Sequence, residues 1–121
     1  MAERVVAEAV GITELIDLTG KRAFVTGGGQ GIGMAIARRL VEAGAVVIIG
    51  DLDPAAQAAA AAIGAGFAAC DITEPDQLDA ALDVVTSAGG LDIVVNNAGI
   101  FPTTGPMIDV TDAFIHRMLD V

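Results

Sequence analysis

Tyrosine and tryptophan are missing from this 121-residue chain, phenylalanine occurs four times, and cysteine and histidine once each. A lone cysteine, Cys70, excludes an internal disulfide and a cysteine-only zinc site. A lone histidine, His116, leaves no histidine-based metal cluster, and it reads as a surface or interface residue. Positive charge is scarce too. Six Lys and Arg face sixteen Asp and Glu, for a net charge of −10. Nucleic-acid binding draws its affinity from Lys and Arg that neutralise phosphates, so neither a nucleic acid nor an anionic membrane surface is an expected partner. The acids are scattered without a long run, as on solvated helix faces. No apolar run reaches the ~20 residues of a membrane span. Met1 to Leu15 carries Glu3, Glu8 and Glu14 and no continuous apolar core, so it does not read as a secretory signal. A cytoplasmic protein is the expectation.

What is present is aliphatic. Hydrophobic residues make up 54% of the chain, mostly Ala, Val, Ile and Leu, and there are fifteen glycines. The length suits one domain. Residues 1–16 read as an N-terminal leader, with a helical turn or two over Ala2 to Val10. Arg22 to Thr26 is a short apolar strand. Ile32, Ile36 and Leu40 recur at helical spacing, with Gly44 placed to end that helix. Ala45 to Ile49 reads as a strand buried on both faces. Asp53-Pro54 fits an N-cap followed by proline at the first helical position, before the Ala-rich helix 55–63. A third strand covers Gly66 to Cys70. Thr73 with Asp76 resembles a capping box, and Leu78, Leu82 and Val85 line the next helix. Leu91 to Val95 is a fourth strand, and Thr111 caps a last helix. Alternation of strand and helix through short connections predicts a parallel sheet with helices on both faces. Right-handed crossovers give strand order 3-2-1-4, one half of a doubly wound, Rossmann-type α/β fold.

Five glycines, Gly27, Gly28, Gly29, Gly31 and Gly33, join the first strand to the first helix. A helix N-terminus offers free N–H groups and partial positive charge, which suits a pyrophosphate. Glycine permits positive φ and close approach of that ligand to the backbone. The pattern G-x-G-x-x-G fits in no frame; Gly27-x-x-x-Gly31-x-Gly33 does. A nucleotide-hydrolase loop is excluded, because Met34 and not Lys follows Gly33. A glycine-rich turn without a ligand is the alternative. Asp51 lies 18 residues past Gly33, at the distance where a carboxylate accepts hydrogen bonds from a ribose diol. It would repel a 2′-phosphate, and neither Gln30 nor Leu52 supplies a compensating charge. That favours NAD over NADP; a turn residue before Asp53 is the alternative. Asn96-Asn97-Ala98-Gly99 follows the fourth strand. Its Asn side chains can tie strand ends together, and Ala98-Gly99 leaves room for a flat ring, although Asn-Gly turns are commonplace.

Together these residues resemble the short-chain dehydrogenase/reductase family. Thr26-Gly27-Gly28-Gly29-Gln30-Gly31-Ile32-Gly33 is similar to its T-G-x-x-x-G-I-G cofactor loop, and Asn96 to Gly99 to its N-N-A-G motif. The resemblance makes Asp71 an adenine-contacting acid with Ile72 as its apolar neighbour. It covers roughly residues 17–121, a dinucleotide-binding unit read as truncated at its C-terminus. It implies a homo-oligomeric NAD-dependent oxidoreductase that transfers hydride between an alcohol or ketone and nicotinamide. Ile100, Phe101 and Met107 fall where substrates approach in that family, or in core packing. The family's catalytic relay of Asn, Ser, Tyr and Lys has no match. The only Lys, Lys21, precedes the first strand, and the only Ser, Ser87, lies near a helix end. Two readings remain open: the N-terminal part of such an enzyme, or a non-catalytic nucleotide-binding or interaction module. The edge of strand four is expected to promote self-association.

Overall fold

The computed structural model describes residues 9–100, 106 and 109–121. Most of the helical turn expected over Ala2 to Val10 lies outside that range, as do Phe101 and Met107. The first described element is the short helix α1 (Ile12–Leu15), whose apolar side chains are exposed. Then follow β1 (Arg22–Thr26), α2 (Gly31–Glu42), β2 (Val46–Asp51), α3 (Ala56–Ala62), β3 (Gly66–Ala69), α4 (Pro75–Ser87), β4 (Ile93–Val95) and α5 (Asp112–Asp120). No helix among the described residues is long and apolar enough to cross a membrane.

The four strands form one parallel sheet of order β3-β2-β1-β4, as the connections predict. Val25 of β1 sits in register with Ile49 of β2 and Val95 of β4. The chain leaves β1 toward β2 and β3, then crosses back to β4 on the other side. Between β1 and β4 the direction of winding reverses, and ligands of such sheets bind at that reversal.

Two apolar clusters hold the layers together. On one face, Ala23, Val25, Val47 and Ile49 pack with Ala37 and Ala60. On the other, Phe24, Ala68 and Cys70 pack with Ala81 and Val85 of α4. The alanines set the distance: a buried Ala lets a helix lie close to the sheet, and close-packed interiors leave no room for more. Gly50 serves the same end, because a methyl there would sit 2.6 Å from the Phe24 ring.

Several local expectations need correction. Ile32 is 76% exposed and not on the core face of α2. That face is made by Gly33 and Ala37, with Met34, Leu40 and Val41 beside them. The small residues mark the closest approach, and a search for large apolar side chains passes over them. β2 is not buried on both faces throughout, since Val46 at its start is 52% exposed. Helix α4 is not capped by a Thr73–Asp76 box. Glu74 is its N-cap, without a side-chain bond, and Pro75 opens the helix. Asp53 does not cap α3 directly; its carboxylate accepts from Ala55 N and closes the turn before Ala56. Thr111 does cap α5, accepting from Phe114 N at 3.2 Å.

Candidate functional site

The C-terminal ends of all four strands open into one cleft of about 630 Å³, within the range of small-molecule sites. Eleven of the thirteen residues singled out from the sequence line it. They are Gly27, Gln30, Ile32 and Gly33 from the glycine loop, Asp51 and Leu52 after β2, Asp71 and Ile72 after β3, and Asn97, Ala98 and Gly99 after β4. Thr26 and Gly31 do not line the cleft, but they shape the segments that do.

The glycine loop is built more for the protein's own packing than the sequence suggests. Gly27 has φ +62°, its N–H donates to Gly50 O at 2.7 Å, and a Cβ there would lie 2.8 Å from Ala98 Cα. A Cβ on Gly29 would lie 2.5 Å from Ala56 Cβ. One on Gly33 would overlap the Asn97 amide nitrogen and sit 2.5 Å from Gly27 O. Only Gly31 differs. It has φ +58°, and an added Cβ would meet nothing. Its requirement is the dihedral alone.

Beyond Gly31 the N-terminus of α2 is electrically unfilled. Its N-cap Gln30 makes no side-chain bond, and no acid stands in the first turn. By contrast α4 and α5 each carry an Asp there. The first-turn N–H groups of α2 thus have no side-chain cap and no acid beside them, the arrangement to which anions bind at helix N-termini.

Thr26 and Asn97 knot the ends of β1 and β4. Thr26 Oγ1 donates to Val95 O at 3.3 Å and accepts from the N–H groups of Asn97 and Ala98, both at 3.1 Å. Asn97 Nδ2 donates to Thr26 O and Gly27 O, each at 3.0 Å. The strand-tying role expected of the asparagines falls to Asn97; Asn96 is exposed.

Asp51 faces the loop from the end of β2. Its Oδ2 accepts from Gly29 N at 2.8 Å and its Oδ1 from Asp53 N at 2.9 Å. A carboxylate offers about four acceptor positions over its two oxygens. The protein fills one on each, which leaves one on each for a pair of neighbouring hydroxyls. Asp71 is held differently. Its Oδ1 accepts from Thr73 Oγ1 at 2.7 Å and Thr73 N at 2.9 Å, and these bonds hold its pKa below the usual carboxylate value. Next to Asp71 in the chain is Cys70, buried and free. Burial, and then the charge of Asp71, push its thiol pKa up, so it stays neutral and weakly reactive.

The far wall was not foreseen. Ala113, His116, Arg117, Asp120 and Val121 bring α5 to the cleft, with Ile100 beside them. His116 is exposed as expected, but it stands at the rim of this site. Among the lining residues Arg117 is the one Lys or Arg. Helical spacing of 113, 116, 117 and 120 could have shown this shared face. Among the described residues no group of three metal-ligating side chains occurs.

A family model described as short chain dehydrogenase matches residues 21–121. The chain is 43% identical over 108 residues to a 3-alpha-(or 20-beta)-hydroxysteroid dehydrogenase of Mycobacterium bovis, covering 86% of this chain and 41% of that protein. It is 41% identical over 108 residues to a galactitol 2-dehydrogenase of Agrobacterium fabrum, covering 86% of this chain and 42% of the relative. Among solved structures, a 3-ketoacyl-(acyl-carrier-protein) reductase from Brucella melitensis complexed with NADH superposes with a TM-score of 0.82 at 38% identity. That match covers 87% of this chain and 45% of the other. The chain thus spans less than half the length of these relatives.

Proposed function

The chain belongs to the short-chain dehydrogenase family, and we propose that its cleft binds NAD through the adenosine and pyrophosphate. The unfilled N-terminus of α2 beside a loop with one open glycine carries this reading. Thr26, Gly27, Gln30, Gly31, Ile32 and Gly33 would form the pyrophosphate cradle. Asp51 and Leu52 would meet the adenosine ribose, Asp71 and Ile72 the adenine, and Asn97, Ala98 and Gly99 the ribose on the nicotinamide side. The residues fit the group. The free acceptor positions on Asp51 match a cis diol, and Gly31 leaves open space beside the N-terminus of α2. The dinucleotide-binding unit is proposed to span residues 17–121, with 1–16 as a leader, in a cytoplasmic protein.

When bound, NAD supplies the oxidising equivalent that converts an alcohol to a ketone. The described chain contributes binding and orientation to that chemistry. Relatives carry names that specify a steroid alcohol or a sugar alcohol, and an alcohol or ketone is the substrate class proposed here. A homo-oligomer is proposed as the working form. Amide chemical-shift mapping with NAD tests the binding reading. Shifts should concentrate on Gly27 to Gly33, Asp51, Asp71 and Asn97 to Gly99; shifts scattered over α4 would overturn it.

A second reading is favoured by one observation: the 121 residues contain no Tyr and one Lys, and Lys21 precedes β1, at the end of the sheet opposite the cleft. In that reading the chain by itself is a nucleotide-binding module that lacks the Tyr of the family's relay. General acid catalysis contributes about 10²–10⁴-fold, so no nicotinamide-coupled turnover is expected from the purified 121-residue chain. Spectrophotometric assay of NADH formation with a panel of secondary alcohols checks this; turnover above the no-protein rate would contradict it.

A further inference from the structure

We infer that Asp51 has a second task, holding the glycine loop in the shape that receives a pyrophosphate. It is thus a positioning residue as well as a ribose contact. The inference rests on the nucleotide-binding reading above. Gly29 stands two residues before Gly31, where the backbone turns into α2. Its N–H donates to Asp51 Oδ2 at 2.8 Å, across 22 residues of sequence. A side chain at Gly29 would collide with that same oxygen at 2.6 Å and with Ala56 Cβ at 2.5 Å. The loop is therefore pressed against the end of β2, and its N–H reaches a charged acceptor at the point of closest contact. The second carboxylate oxygen is fixed by Asp53 N at 2.9 Å, so the carboxylate cannot turn away from Gly29 without losing both bonds. Bonds to an ionised acceptor are stronger than neutral ones. Without the carboxylate the partly buried Gly29 N–H has no protein partner, and no other side chain among the described residues hydrogen-bonds Gly28 or Gly29.

Charge alone argues for the opposite effect. A carboxylate near a pyrophosphate repels it, so deleting Asp51 should tighten an anion that makes no ribose contact. The two roles therefore separate by sign. The test uses ADP and 2′,3′-dideoxy-ADP, which lacks the diol, with the full chain and its Asp51→Ala and Asp51→Asn variants. Asp51→Asn removes the charge but keeps an oxygen for Gly29. If Asp51 holds the loop, Asp51→Ala binds dideoxy-ADP about fivefold more weakly than wild type, whereas Asp51→Asn binds it at least as tightly. Dideoxy-ADP bound as well or better by Asp51→Ala would overturn the inference. Amide hydrogen exchange on the free chain gives an arm that needs no ligand. Exchange at Gly29, referred to the core amide of Ile49, should rise in Asp51→Ala and stay low in Asp51→Asn. An unchanged Gly29 rate in Asp51→Ala would also overturn it. If the wild type binds neither nucleotide, the proposed function falls, and Gly29 exchange still decides the clamp.

Discussion

Gly33→Ala is expected to lower the stability of the chain by roughly 4 kcal/mol, a fall in Tm of more than about 10 °C. The methyl would overlap the Asn97 amide nitrogen and lie 2.5 Å from Gly27 O and 3.0 Å from Gly28 Cα. Two of those three neighbours are backbone atoms and cannot rotate away. Overpacking of this kind costs about 1–3 kcal/mol. Displacing Asn97 then breaks its bonds to Thr26 O and Gly27 O and leaves partly buried groups unpaired, for about 1–3 kcal/mol more. Gly31→Ala is the control. It has open space around it, and its cost is limited to the positive φ of +58°, about 1–2 kcal/mol. Thermal unfolding of both variants checks the ordering. Equal losses would show that the Gly33–Asn97 contact is not what holds the loop to β4.

The chain is expected to prefer NAD to NADP by roughly 100-fold, a difference of about 2.7 kcal/mol. A 2′-phosphate would enter beside Asp51, which lines the cleft and accepts one hydrogen bond on each oxygen. Like charges about 4 Å apart repel by about 4 kcal/mol at an effective dielectric constant of 20. Asp51 is only partly buried, so solvent reduces that figure. Leu52 and Gln30 line the same cleft and bring no cation. The double variant Asp51→Ala with Leu52→Arg should shift the ratio toward NADP. Competition binding of the two dinucleotides to wild type and variant gives the measurement. A wild type that holds NADP as tightly as NAD would remove Asp51 from the ribose site.

The architecture was legible because strand and helix alternate with little ambiguity. The apolar runs Ala23 to Val25 and Ala45 to Ile49 read as strands of a parallel sheet, and the crossover rule ordered them. The gathering of these motifs around one cleft was legible for the same reason: motifs at strand ends are brought together by the sheet. Three things were not. The core face of α2 was misread through Ile32, since the closest packing uses Gly33 and Ala37, whose small size hides them from a hydrophobic pattern. The cap of α4 was misplaced, because Thr73 has a stronger local partner in Asp71. The purpose of the glycines was only half read. Gly27, Gly29 and Gly33 answer to Ala98, Asp51 and Asn97, contacts spanning up to 71 residues that no local pattern reveals. The α5 wall of the cleft was missed because it depends on how that helix docks across the strand ends.

Calorimetric titration of the folded 121-residue chain with NAD, repeated in the presence of ADP, tests the nucleotide-binding assignment most directly. The expected result is one NAD per chain, competed by ADP, with the competition weakened when dideoxy-ADP replaces ADP. A chain that gives a cooperative thermal transition yet takes up neither NAD nor ADP at millimolar concentration would contradict it.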